Sequence, residues 1–269
     1  MQQPFRESSK VRIAVRTRRR LRPEMVLVSH THRFIFFKSK KTASTSVEAY
    51  FEPFCLPDDK LPDGVAEQYR DEFIGPTGII GCRLGREERA AATWEAHMRA
   101  SRILRLLGPA RFLSYFRFTT VRNPFTKYLA TFRYHMRNRP DVLNAPFAQH
   151  REAFIEWMRS GNGHPRDHNT YSIGPFRVAN AYIRAEHLAD DTRAVCERLS
   201  LPYDPTRMPH YKKMARPERH YSDYFDETSK KLVARRHRWE IETFGYSFKQ
   251  DPVPPTGPAL HHLRSGETS

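Results

Sequence analysis

Hydrophobic positions along the chain fall into short runs cut by polar loops. Residues 25–28 (MVLV) and 33–37 (RFIFF) flank Ser29-His30-Thr31-His32, the pattern of a strand pair. A polar stretch from Lys38 to Ser46 follows, and then Val47, Tyr50, Phe51 and Phe54 recur at i, i+3, i+4 and i+7, which predicts a helix. Thr45 and Glu48 have capping-box spacing, placing the helix start at the end of the polar loop, and Pro53 ends or kinks it. Residues 58–85 carry no usable pattern. The Ala-, Glu-, Arg- and Leu-rich stretch 86–107 predicts a helix stopped by Gly108-Pro109. Residues 115–121 (YFRFTTV) predict a strand, and Phe125, Tyr128, Leu129, Phe132 and Met136 a helix beginning at Pro124. Further helices are expected near 147–159, 190–200 and 226–244, the last starting at Asp226 and closed by Gly245. Strands alternating with helices imply an α/β fold with a largely parallel central sheet flanked by helices.

Composition adds a sign to this pattern. The 269 residues hold 46 Lys+Arg against 30 Asp+Glu, a formal charge of +16, with 39% hydrophobic residues, enough for a packed core. Residues 1–22 carry +7 and 250–269 carry −1, leaving +10 on the body between them. The chain therefore divides into a basic, flexible arm (1–24), one domain (25–249) and a Pro-rich, disordered tail (250–269). An anionic partner follows from the charge; which one does not. The apolar runs are far shorter than the roughly 20 residues of a membrane span. No apolar block stands behind the first arginines, and Cys55, Cys82 and Cys196 form no CxxC pair, so the expectation is a cytoplasmic protein with no transmembrane segment, disulfide scaffold or metal site.

Two loops concentrate candidate chemistry. Lys40-Lys41-Thr42-Ala43-Ser44-Thr45-Ser46 puts two ammonium groups and four hydroxyls at a helix N-terminus, where unpaired N–H groups and the helix dipole also favour an anion. It lacks the glycines of GxxxxGK[ST], which disfavours an ATPase or ordinary P-loop kinase. The second loop follows a strand as Val121-Arg122-Asn123-Pro124, where the planar fork of Arg122 suits a phosphate.

Lys41-Thr42-Ala43-Ser44-Thr45-Ser46 after a strand resembles the 5′-phosphosulfate loop of sulfotransferases that use 3′-phosphoadenosine 5′-phosphosulfate (PAPS). The letters KTASTS are those of the heparan sulfate uronyl 2-O-sulfotransferases, whereas many bacterial relatives carry PKTGGTS; here Lys40 stands where proline is usual. Residues 121–132 resemble the family's VRNPxxRxxSxY element. Tyr182 to Asp191 resembles its RxExLxxD segment, and the stretch from Tyr221 to Phe248 its closing helix and FGYSF ending. The resemblance, to the bacterial family-two type over about residues 25–248, implies a P-loop-like three-layer fold. It also implies transfer of a sulfuryl group from PAPS to a hydroxyl of a carbohydrate, with 3′-phosphoadenosine 5′-phosphate (PAP) as product and no metal.

By the same resemblance Lys41 is catalytic, the residues Thr42, Ala43, Ser44, Thr45 and Ser46 hold the phosphosulfate, and Arg122 binds the 3′-phosphate. Lys127 replaces an Arg, and Ala130 replaces a Ser that is a second 3′-phosphate ligand. Losing that hydroxyl is worth about 1.5–3 kcal/mol, implying weaker cofactor binding or a substitute donor. Lys212 and Lys213 occupy the place of a basic loop near the cofactor; as residues alone they equally suit a solvated patch or an acceptor contact. His97 matches a His of the bacterial enzymes and is the candidate base for the acceptor hydroxyl, with His164, His168, His187 and His210 as alternatives.

The expected acceptor is a glycan or glycolipid, anionic or not, with peripheral membrane contact through the basic arm and no specific nucleic acid. Two other readings share the charge. A nucleotide-dependent phosphotransferase would need glycine-rich phosphate binding and acidic magnesium ligands, which the sequence does not display. A nucleic-acid or polyanion binder is supported by the arm and body but leaves the paired strand-loop-helix anion sites unexplained.

Overall fold

The apolar runs near residue 30 become strands buried on both faces, as continuous rather than alternating hydrophobicity requires. The structure, a computed structural model, describes residues 26–60, 72–82, 92–95, 97–209 and 219–249. The arm 1–24 and the tail 250–269 lie outside the described residues. Strand β1 (Leu27–Ser29) pairs antiparallel with β2 (Phe34–Phe37), Val28 opposite Ile35, so the expected hairpin forms. Helix α1 (Ser44–Phe51) follows β2 through the polar loop and tightens into a 3₁₀ turn, Glu52–Cys55, that contains Pro53. The chain then reaches one edge of the sheet with β3 (Phe73–Ile74) and β4 (Gly78–Ile80).

Helix α2 (Ala100–Leu107) stops at Gly108, and α3 (Pro109–Ser114) begins with the following proline. Of the helix expected over 86–107, the described residues are helical from 100. Residues 83–91 are outside the described set, and 92–95 lie in bends and a bridge between Glu95 and Cys82. That pairing draws the segment to the sheet, overriding its helical composition. Next come β5 (Phe116–Val121), α4 (Pro124–His135), α5 (Phe147–Ser160), β6 (Ala181–Arg184), α6 (Leu188–Arg198), α7 (Glu227–Arg236) and α8 (Arg238–Phe244). Asp226 caps α7 in a capping box with Ser229, and Gly245, at φ 64°, closes α8 in the left-handed region glycine tolerates.

The central sheet has six strands in the order β3-β4-β1-β2-β5-β6, and a separate short hairpin pairs Ser172–Ile173 with Phe176–Arg177. The pairings β2–β5 and β5–β6 are parallel; those joining β1, β3 and β4 are antiparallel. The sheet is therefore mixed. Its parallel half carries both candidate loops, and its other half is built from hairpins, whose short connections force antiparallel pairing.

Alternate side chains separate the two faces. Leu27, Phe34, Phe36, Phe118 and Ile183 pack with Val47, Phe51 and Val195 of α1 and α6. Val28, Ile35, Phe37 and Tyr182 pack with Ile103, Phe112 and Phe244 of α2, α3 and α8. A third cluster joins α4, α5 and α7 through Tyr128, Phe132, Phe154, Trp157 and Val233. β2 and β5 are thereby packed between helices on the two faces, and the carboxyl ends of adjacent parallel strands are where α/β sheets bind ligands.

Candidate functional site

The turn after β2 is held from beneath. Lys38 is buried and pairs with the buried Glu48 of α1. Glu48 is thus used as the base of the loop instead of as a capping-box partner, and the N-cap is Ala43, without a side-chain cap. Ser39, Thr42 and Thr120 join their hydroxyls across the β2 and β5 ends: Ser39 Oγ is 2.7 Å from Thr42 Oγ1, and Thr42 Oγ1 is 2.5 Å from Thr120 Oγ1. Ser44 Oγ donates to Ser39 O at 2.7 Å. Thr42 and Ser44, both expected to face an anion, spend their hydroxyls on shaping the loop. Ser46 is buried in the first turn of α1, while Lys41, Ala43 and Thr45 are half-buried.

Lys41 and Ala43 have φ of 58° and 60°, with Thr42 between them outside the positive-φ set. Alternation of this kind turns successive N–H groups toward one concave side, where an anion is received. The left-handed region costs a residue with a Cβ about 1 kcal/mol. Ala43→Gly removes that cost while adding a similar freedom to the unfolded chain, so the thermal midpoint is expected to change little. Ala43→Val should lower stability by at least about 1 kcal/mol; an unchanged midpoint in thermal unfolding would show that the loop does not keep this backbone.

The second loop is brought onto the first. Arg122, half-buried at the end of β5, donates from Nε to Thr126 Oγ1 at 2.9 Å, and its terminal nitrogen is 3.5 Å from Lys41 O. Burial lowers the Arg122 pKa, against a raising influence of Glu186 and Tyr246. Asn123 caps α4, accepting from Phe125 N at 3.0 Å, and Pro124 opens the helix. The turn is braced from two other segments. Asn123 N donates to Glu186 Oε1 at 2.8 Å, Tyr246 Oη donates to Glu186 Oε2 at 3.2 Å, and Asn123 Nδ2 reaches Ser247 O at 3.3 Å. Arg184 and Asp191 clamp the β6–α6 turn that presents Glu186, with bonds of 2.7 and 2.8 Å. The RAEHLADD and FGYSF stretches thus hold Arg122 in place from behind.

Asp167, which the sequence did not single out, ties the loops together. Its carboxylate accepts from Lys40 N at 2.7 Å and from Lys127 Nζ at 2.7 Å. Burial alone would raise its pKa; the Lys127 ammonium and the Lys40 N–H reverse that and hold it at about 2. Lys127 is therefore a buried structural cation. Ala130 lies one turn beyond Thr126, half-buried on the same side of α4, and offers only a methyl. Thr126 positions Arg122 but does not replace the missing donor, since its own proton goes to Asn123 O at 3.0 Å. Thr131 turns away, donating to Lys127 O at 2.7 Å.

His97 is drawn to the same place from a segment 59 residues away. Its Nδ1 lies 2.6 Å from Lys38 O. A carbonyl only accepts, so Nδ1 carries the proton and Nε2 is the basic nitrogen. The residue sits at φ 49°, a strained conformation of the kind found where a side chain is aimed for function. The alternatives are placed differently. His164 is buried among Tyr128 and Trp157, its Nδ1 2.6 Å from Arg236, and burial followed by Arg236 lowers its pKa to about 4. His168 is exposed and His187 half-buried before α6. Lys212, Lys213 and His210 lie outside the described residues.

The Lys41 ammonium stands 3.4 Å above the ring centre of Tyr134, near the end of α4. The pKa of the adjacent His135 is lowered chiefly by burial and further by the nearby cations Lys41, Arg137 and Lys40. Tyr134, His135 and Arg137 escaped sequence reasoning because only the fold lays the end of α4 beside the loop. The chain finds no match among protein-family models, curated proteins or solved structures.

Proposed function

We propose that this chain is a PAPS-dependent sulfotransferase acting on a hydroxyl of a carbohydrate. One observation carries the proposal: at the carboxyl ends of two adjacent parallel strands, the Arg122 guanidinium meets the Lys41 backbone while His97 bonds to Lys38 O. The donor set fits a molecule with separate phosphosulfate and phosphate groups. It comprises a concave backbone turn with Lys41, a half-buried Arg a short distance away, and the further cations Lys40 and Arg137 close enough to add to the lowering of the His135 pKa. Lys41 and the turn from Thr42 to Ser46 would hold the phosphosulfate and Arg122 the 3′-phosphate. PAPS supplies a sulfuryl group already activated by its phosphate leaving group.

The chain's own residues do three things. His97 Nε2 takes the proton of the acceptor hydroxyl, with the Lys38 carbonyl fixing the tautomer that leaves this nitrogen basic. Lys41 moves off Tyr134 toward the bound anion and places a positive charge where negative charge accumulates. Arg122, held by Thr126 and the Glu186 brace, supplies alignment.

Calorimetric titration with PAP tests this reading. Saturable 1:1 binding is expected, weakened by Arg122→Ala roughly 10- to 150-fold, the loss of hydrogen bonds to a charged group. Absence of PAP binding, with salt-sensitive association to oligonucleotides in its place, would overturn it.

A further inference from the structure

A cavity of about 320 Å³ opens beside His97. Its other walls are Arg99, the N-cap of α2, and Ser101, Arg102 and Arg105 along that helix, with Glu95 and Met98 from the segment before it. Arg102 is committed: it pairs with Glu95 and donates to Thr93 O at 3.1 Å. Arg99 and Arg105 are exposed and have no ion pair among the described residues. Arg105 follows Arg99 by six positions, about 9 Å along the helix axis. The cavity thus carries two guanidinium forks, an exposed hydroxyl on Ser101, and the ring of His97.

Resting on the sulfotransferase reading above, we infer that this cavity is the acceptor subsite and that Arg99 and Arg105 select an acidic saccharide, one bearing carboxylate or sulfate groups. The forks match such planar or tetrahedral anions bidentately, and Ser101 suits a sugar hydroxyl. Among the described residues no Phe, Tyr or Trp lines the cavity. A nucleobase finds only the His97 ring and guanidinium planes to stack on, so single-stranded nucleic acid lacks the aromatic platform that usually supplies its affinity. A neutral sugar or a phenol likewise finds little apolar contact; charge is the main handle the cavity offers. Its size, at the low end for small-ligand sites, suits one or two units of a chain.

The test is calorimetry on the full chain with tri-galacturonate, its fully methyl-esterified form and a deoxyadenosine decamer, each without PAPS. Tri-galacturonate is expected to bind at least tenfold more tightly than the ester. An Arg99→Ala, Arg105→Ala double variant should lose at least tenfold of that affinity while binding PAP as the parent chain does. Removing two exposed cations of α7, Lys231 and Arg235, should leave saccharide binding unchanged, which separates the cavity from general charge attraction. Equal affinity for acid and ester, or a double variant that binds tri-galacturonate like the parent, overturns the proposal. So does decamer binding that is tighter than saccharide binding and is lost in the double variant. Failure of PAP to bind, with selective saccharide binding retained, would instead overturn the sulfotransferase reading and leave an acid-saccharide site in place.

Discussion

His97→Ala is expected to lower turnover by a factor of about 10² to 10⁴, the usual contribution of a positioned general base, while PAP affinity stays within a few-fold of the parent. The alanine variant alone leaves an ambiguity, because it also removes the bond to Lys38 O at the root of the loop. His97→Asn resolves it. An asparagine amide can still donate to that carbonyl but has no nitrogen able to take a proton. Single-turnover assays with labelled sulfuryl donor should find both variants equally slow. If the asparagine variant turns over like the parent, His97 is a tether and the base lies elsewhere; if both do, it is neither.

Asp167→Ala should be the most destabilising single change near the site. It leaves the Lys127 ammonium buried without its counter-charge and the Lys40 N–H without its acceptor. Breaking one side of a buried ion pair costs about 3–5 kcal/mol, a large share of the 5–15 kcal/mol that holds a typical domain together. Urea unfolding measures the loss directly. Replacing both partners, Asp167→Leu with Lys127→Met, should recover much of it, since an apolar pair strands no charge.

The linkage also has a defined direction in pH. The folded carboxylate titrates near 2, below the ordinary 3.8. Its contribution is complete above the ordinary value and disappears as the pH falls from about 4 toward 2. Stability curves of the parent and of Asp167→Asn should accordingly converge over that interval. Parallel curves would mean that the charge on Asp167 contributes nothing.

Arg122 shows how far local pattern reaches. A strand-end arginine before Asn-Pro is visible in the sequence, because strand period, proline and cap all act within a few residues. The loop at residues 40–46 is visible for the same reason, since its hydroxyls and lysines are neighbours in the chain. What those hydroxyls do is a different matter. Thr42 bonds to Thr120, 78 residues on, and becomes part of the loop's framework. Glu48 had the spacing of a cap partner, yet the buried Lys38 claims it, because an unpaired ammonium in the interior costs more than an open cap. The helix expected from residue 86 gives way over 92–95 for a similar reason: the bridge between Glu95 and Cys82 outweighs the small propensity differences that favoured helix.

By itself, then, the sequence determined most of the strands and helices outside residues 58–85, the basic character of the chain and the polar make-up of the two candidate turns, all of them set by contacts spanning one or two turns of backbone. Only the tertiary structure decided that Arg122 reaches Lys41, that His97 arrives at Lys38 O, that Asp167 binds both loops at once, and that Arg99 and Arg105 share a cavity with that histidine. All but the last of those meetings join residues 40 to 127 positions apart. They depend on which strands become neighbours, and burial of the whole sheet decides that where no local preference can.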